Sequence, residues 1–450
     1  MADRSSRAEE TEIALGQALG GTVHGLRRLS GGASRVTSSF DLEQAGGTRP
    51  LILQQDRGGA VAQSGRVRTE HALLTAAQAV GVPVPAVVAV GEDDALGSGW
   101  MVVERLEGEA IPRKILRDPE WEAARAALTP QCGRALAAVH SIDPDTIDGL
   151  APRDPLRDTG ALLDLLGEVR PALELGARWL SAHRPPTERR VTVHGDFRCG
   201  NLLVGPDGLR AVLDWELAHG GDPAEDIGWL CAPAWRFGGP GPVGGFGEME
   251  ELLRSYTEAG GQAMTPERVH WWQVYATVKW ATICAMQASA HLSGVTRSVE
   301  LAAIGRRVCE SEWDLFVLLG VTPAPGSPPV DQSHATAPFG RPTAAELVEA
   351  VREYLDAQME RSEGGARFEA RVARNALGAV ERQLSLGPDL AAAHTERLVA
   401  LGFDDDRSLS AAIRAGAYDN DWRALAGALA AAARDQLLVA NPAYLPAASE

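Results

Sequence analysis

Lysine is nearly missing from this chain. Only Lys114 and Lys279 occur, and the rest of the 43 basic residues are arginine. Any site in the first hundred residues that needs a cation must therefore use arginine. Cysteine is also sparse: Cys132, Cys199, Cys231, Cys284 and Cys309 are odd in number, far apart and without a CxxC pair. A disulfide framework and a zinc site of paired cysteines are excluded on that ground. No apolar run reaches the length of a membrane span, and MADRSSRAEE at the start lacks the apolar stretch of a secretory signal. The expectation is a soluble cytoplasmic protein with no membrane partner. Acidic residues outnumber basic ones and give a formal charge of −17. That sign repels a phosphate backbone, so a general nucleic-acid binder is excluded, although a local arginine cluster still grips an anionic ligand.

What remains is ample for a globular protein: 450 residues, 45% of them hydrophobic, room for two or three domains. VHGLRRLSGGASRVTSSFDL and RPLILQQD read as neighbouring strands bounded by Gly, Ser and Pro. RVRTEHALLTAAQAV reads as a helix with one buried face, ended by GVPVP, and WMVVERLEGE as a buried strand. From Trp121 onward the apolar spacing is helical, interrupted by LLVGPDGLRAVLDWE, two short runs around a GPDG turn that close a hairpin. TPAPGSPPVDQSHATAPFG lacks a periodic face and reads as a linker. Beyond it, Thr343 and Glu346 make a capping box before further helical stretches with no strand signal. The expected fold class is α+β, a bilobal molecule with a small β-rich N-lobe and a mostly helical C-lobe, followed by an all-α bundle. Its expected boundaries are 12–105 for the N-lobe, 106–321 for the C-lobe, 322–340 for the linker and 341–450 for the bundle.

HGDFRCGN, residues 194–201, places polar side chains between VTV and LLV, where two strands need only a simple turn. Phosphoryl transfer to a hydroxyl needs a carboxylate to position the nucleophile and ligands for the metal that holds the polyphosphate. Asp196 precedes Asn201 by five residues, the spacing of the kinase catalytic loop, and the hairpin beyond ends in LDWE with Asp214. The turn is polar because it is a catalytic loop.

HGDFRCGN, LDWELAHGGDPAEDIGW and the upstream LSGGAS together resemble the aminoglycoside phosphotransferase family, within the protein-kinase-like fold. More narrowly, HGDFR with LDWE and GDP resembles the kinase-like domain that precedes acyl-CoA dehydrogenase domains in some fused proteins. The similarity covers roughly residues 12 to 320. It implies an ATP- and Mg²⁺-dependent O-phosphotransferase. Asp196 is the implied base, His194 braces the loop, and Arg198 belongs to the same catalytic stretch. Asn201 and Asp214 are implied to hold Mg²⁺, with Glu216 joining directly or through water, and Asp226 supports the loop from the following helix. In the N-lobe, Ser30, Gly31, Gly32, Ala33 and Ser34 are implied to cover the nucleotide phosphates, Glu70 to be the helix glutamate, and Glu104 and Leu106 to flank the adenine hinge.

One position departs from the family pattern. The strand before the helix should bring a lysine or arginine to the phosphates, yet it reads LILQQD, which puts Gln54 or Gln55 there. An amide donates a hydrogen bond without the charge that roughly doubles its strength. Arg27, Arg28 and Arg57 are nearby cations. The implied acceptor is a small-molecule hydroxyl, on a hydroxyacyl-CoA or similar alcohol more than on an aminoglycoside. The rival reading is a nucleotide-binding pseudokinase whose helical tail recruits a partner, and the tail is the expected place for protein docking or self-association.

Overall fold

A computed structural model describes residues 2–29, 35–56, 66–93, 96–187, 189–331 and 341–446. The chain divides into two compact units, residues 1–153 with 187–269 and residues 154–186 with 270–450. This division does not follow the expected boundary at residue 321.

The first unit is built on a five-stranded antiparallel sheet in the order β1-β2-β3-β5-β4. Its strands are β1 (Thr22–Arg28), β2 (Arg35–Gln44), β3 (Gly47–Asp56), β4 (Val87–Asp93) and β5 (Gly97–Glu104). β2 and β3 form a hairpin in unbroken register, from Gln44 opposite Gly47 to Arg35 opposite Asp56. Strand alternation sends Phe40, Leu42, Leu51, Leu53 and Val102 to one face, where they bury Leu15 of the helix Ala2–Leu19. Met101 and Val103 point the other way, onto Val67, Leu73, Leu74 and Ala77 of the helix Arg66–Ala79. Each fully buried large side chain contributes about 1.5–3 kcal/mol. The sheet is thereby fixed on both faces, and so is the helix carrying Glu70. The N-terminal helix and β4 were not apparent in the sequence, the first because its opening residues are so polar.

In the same unit, β6 (Val191–Val193) pairs with β9 (His219–Gly221), and β7 (Leu202–Gly205) pairs with β8 (Gly208–Val212) across the expected GPDG turn. Leu128 and Leu136 of the helix Glu122–Val139, Ile227 and Leu230 of the helix Ala224–Leu230, and Leu252 of the helix Met249–Glu258 share a core with Leu202, Val204 and Val212 of the β7–β8 hairpin.

The second unit is helical. Leu175 of the helix Pro171–Ala182 and Phe316 of the helix Val308–Leu318 share a core with Leu398, Leu409, Leu425 and Leu429 from the tail. The tail thus packs on helices expected in the C-lobe, because those helices carry apolar residues on a second face. The capping box of Thr343 and Glu346 forms as the sequence predicts. RFEARVARNALGAVERQL and LAAAHTERLVAL, read as two stretches, are one helix, Gly364–Leu401, that runs through Pro388. Among the described residues, no helix is long and apolar enough to cross a membrane.

Candidate active site

β6 ends at Val193 and delivers the chain into a loop held by one buried carboxylate. Asp226, fully buried on the helix Ala224–Leu230, accepts hydrogen bonds from the His194 amide at 2.7 Å and the Gly195 amide at 2.8 Å. His140 Nε2 lies 3.2 Å from the same carboxylate, and its Nδ1 lies 2.8 Å from the Tyr256 hydroxyl. Burial alone would raise the Asp226 carboxyl, but His140 and the loop amide hold it below the usual carboxylate range. Gly195 has φ +81, and a Cβ there would stand 2.4 Å from the Leu217 carbonyl oxygen. Only glycine fits that corner.

His194 is fully buried, and burial pushes its imidazole down to the neutral form. Its Nδ1 accepts from the Asp196 amide at 3.2 Å, so Nε2 carries the proton and donates to the Leu213 carbonyl at 3.1 Å. Trp215 lies against the same ring at 4.7 Å. The histidine therefore ties the loop of Asp196 to the end of β8 and LDWE.

Asp196 is nearly buried and accepts from three side chains. Arg198 Nε at 2.9 Å and Trp229 Nε1 at 2.8 Å meet Oδ1, while Asn201 Nδ2 meets Oδ2 at 2.6 Å. Arg198 is itself stacked on Trp235 at 4.7 Å. With its amide nitrogen committed to Asp196, Asn201 has its amide oxygen left for another partner. Its backbone carbonyl accepts from the Leu213 amide at 2.8 Å, which brings the next residue, Asp214, alongside the loop. Asp214 has φ +65, a conformation that costs a non-glycine residue about 1–3 kcal/mol. Burial of its carboxyl and the carboxylates of Glu216, Asp196 and Glu70 push Asp214 up to about 7, although the residue as a whole is exposed.

The N-lobe residues converge on the same charges. Arg35 is buried at the start of β2. Its Nη1 lies 2.5 Å from Glu70 and its Nε 3.0 Å from Asp56, while its Nη2 is buried without a partner. Burial opposes the guanidinium charge, but Glu70 and Asp56 outweigh it and hold Arg35 above its ordinary value. Burial pushes Glu70 up against the pull of Arg35. Arg66 pairs with Glu216 at 3.0 Å, so that carboxylate is already engaged.

The cation beside Glu70 is therefore Arg35 of β2, and not a residue of β3, where Gln54 or Gln55 was expected at the phosphates. Gln55 points to the opposite face and donates to the Leu96 carbonyl at 2.7 Å. Gln54 is half-buried, opposite Thr37 and on the face of Arg35. Arg27 and Arg28 are exposed on β1, and Arg57 lies outside the described residues, as do Ser30, Gly31, Gly32, Ala33 and Ser34. At the end of β5, the Glu104 amide donates to Ala86 and the Arg105 amide to Pro50, with Leu106 half-buried beyond. Sequence reasoning missed Arg35, Trp229, Arg66 and His140. A signal existed for Arg35 alone: it is the charged residue that follows LSGGAS directly, and hairpin register sets it opposite Asp56.

The model of the Phosphotransferase enzyme family matches residues 25–271, more than half of this chain. The chain belongs to that family. A second model, described as a domain of unknown function (DUF6285), matches residues 360–444. Acyl-CoA dehydrogenase family member 10 of Mus musculus is 30% identical over 199 residues, 41% of this chain and 18% of that protein. Acyl-CoA dehydrogenase family member 11 of Gallus gallus is 29% identical over 224 residues, 45% of this chain and 27% of that protein. The match thus spans less than a third of the length of either curated relative. The crystal structure of a "putative aminoglycoside phosphotransferase" from Ralstonia eutropha JMP134 is similar in fold, with a TM-score of 0.55 at 20% identity over 69% of this chain and 98% of that one. The phosphotransferase architecture, a β-rich N-terminal sheet followed by a helical region, is that of the protein-kinase-like fold.

Proposed function

We propose that this phosphotransferase moves the γ-phosphoryl group of ATP to a hydroxyl of a small molecule. The observation that carries the reading is the hydrogen bond of Asn201 to Asp196 together with that of the Leu213 amide to the Asn201 carbonyl, which brings Asp214 alongside the loop. Asp196, held by Arg198, Trp229 and Asn201, accepts the proton of the acceptor hydroxyl. Arg35 supplies the cation that LILQQD lacks, and its unpaired Nη2 is the group offered to a phosphate oxygen. Ser30, Gly31, Gly32, Ala33 and Ser34 cover the phosphates, and Glu104 and Leu106 flank the base.

The donor set also fits a hard divalent cation. Mutual repulsion among Asp214, Glu216, Asp196 and Glu70 is what such an ion relieves, and Asn201 adds a neutral oxygen. Among the described residues no three His, Cys, Asp or Glu side chains form a metal cluster by themselves, and phosphate and water oxygens would supply the remaining ligands. Asn201 and Asp214 would hold Mg²⁺, with Glu216 acting through water because Arg66 occupies it. Mg²⁺ when bound neutralises charge on the transferring phosphoryl group.

The names of the acyl-CoA dehydrogenase relatives favour a hydroxyacyl-CoA or related alcohol as acceptor. Screening hydroxylated acyl-CoA thioesters and aminoglycosides for ATP-coupled mass gain tests this directly. Purified protein is expected to hydrolyse ATP slowly in the presence of Mg²⁺ and to lose that activity in Asp214→Ala. Absence of both hydrolysis and transfer would favour the pseudokinase reading, whose main motive, a missing cation, Arg35 removes. The parts 12–105, 106–321, 322–340 and 341–450 remain our proposed functional division. Leu347, Val351 and Tyr354, exposed at helical spacing, support a docking role for the tail.

Trp229 is a positioning residue in this scheme. Trp229→Phe keeps the aromatic packing and deletes one hydrogen bond to a charged acceptor, which is worth about 1.5–3 kcal/mol. Turnover is expected to fall roughly tenfold or more with the nucleotide KM unchanged. Steady-state kinetics decide it, and an unaltered kcat would show that Arg198 and Asn201 orient Asp196 alone.

A further inference from the structure

In the second unit, helices of its later segment and Arg170 of its earlier one close around a recess of about 330 Å³, within the range of small-molecule sites. Space exists there because Gly305, Ala391, Ala432 and Ala440 line it in place of larger residues. Leu390 and Val439 give it an apolar wall. On its polar side two arginines, Arg306 and Arg397, lack a carboxylate of their own among the described residues.

Arg306 reaches Gln383 Oε1 at 2.8 Å and meets no carboxylate among the described residues. Arg397 Nη2 bonds to Asp435 at 2.7 Å, but Arg434 shares that carboxylate at 3.3 Å, and the Nε of Arg397 is buried without a partner. Arg170 lies 3.5 Å from Gln436 Oε1 and is compensated by two carboxylates, Glu168 on its Nε at 3.1 Å and the buried Glu312 at 3.8 Å. His394 is matched by Asp406 at 2.9 Å. Gln383, Leu390, His394 and Arg397 recur at seven, four and three residues along one helix, so they present one face to the recess. Arg306 is exposed and Arg397 shares its carboxylate with Arg434, so both have donors to offer a ligand beside the apolar wall, in a chain whose net charge is −17.

We propose that this recess binds a small organic oxyanion, a carboxylate or phosphate monoester carried on a short apolar chain. The oxyanion takes donors from Arg306 and Arg397, and the chain lies along Leu390 and Val439. Nothing in the argument depends on phosphotransfer, so failure of that activity leaves the proposal standing.

Calorimetric titration of the full chain tests it, using hexanoate and butyl phosphate as probes and hexanol and inorganic phosphate as controls. Saturable binding of at least one amphipathic anion is expected, and comparison of the two identifies the preferred head group. Arg306→Gln and Ala391→Phe, both at exposed positions, should each weaken that binding tenfold or more. Asp214→Ala should leave it intact, which separates this site from the proposed nucleotide site. Absence of binding by both anions, equal binding of hexanol or of inorganic phosphate, or indifference to both recess variants would overturn the proposal.

Discussion

Asp196→Asn is expected to remove phosphate transfer, lowering turnover about 10²–10⁴-fold, the range that general base catalysis supplies. The substitution is isosteric. Its amide oxygen can still accept from Arg198 and Trp229, which meet Oδ1 at 2.9 and 2.8 Å. The other side would face the Asn201 amide nitrogen, now 2.6 Å from Oδ2, with a second nitrogen. The loop is nevertheless fixed from behind by Asp226, through the amides of residues 194 and 195. The fold and nucleotide binding should therefore survive. Thermal unfolding and equilibrium nucleotide titration check the first point, and product formation followed by mass checks the second. Full turnover in this variant would take Asp196 out of the chemistry and sink the proposed reaction.

Arg35→Met should be damaging in two separable ways. It leaves Glu70 buried without its cation, and breaking a buried pair by removing one partner costs about 3–5 kcal/mol. It also removes the charge offered to phosphate. Arg35→Met with Glu70→Leu relieves the buried carboxylate, so denaturant unfolding should show most of the stability regained. Nucleotide affinity should remain poor in that double variant. Arg35→Met with Gln54→Lys should do the reverse for affinity, because Gln54 shares the face of Arg35. If the stability-restored variant also recovers nucleotide KM, Arg35 is a structural ion-pair partner and the phosphate grip lies elsewhere.

The proximity of Asp196, Asn201 and Asp214 was legible in sequence because the spacing is short and local, fixed by backbone connectivity through the loop and the hairpin. The GPDG turn and the capping box at Thr343 were legible for the same reason. Arg35 was not, since its pairing with Glu70 depends on which strand of a hairpin faces the helix Arg66–Ala79. That is a matter of register, which one strand read alone does not reveal. Trp229 read as ordinary apolar packing in EDIGW, and only the folded chain turns its ring nitrogen toward residue 196. The tail was expected to stand alone because the linker before it is so polar, whereas the cores of Leu175, Phe316 and Leu425 are shared.

The proposed grip on phosphate by a guanidinium on β2, rather than by an amine on β3, carries a practical consequence. Guanidinium stays protonated far beyond any assay condition, so nucleotide affinity should show no alkaline limb from this group. Acylating nucleotide analogues that label kinases through a cleft amine would find no such target at Arg35. One of the chain's two lysines, Lys114, is tied to Glu109 at 2.8 Å. Inhibitor discovery by amine-directed covalent capture should pass this enzyme by, while reversible competitors that exploit a planar fork should not.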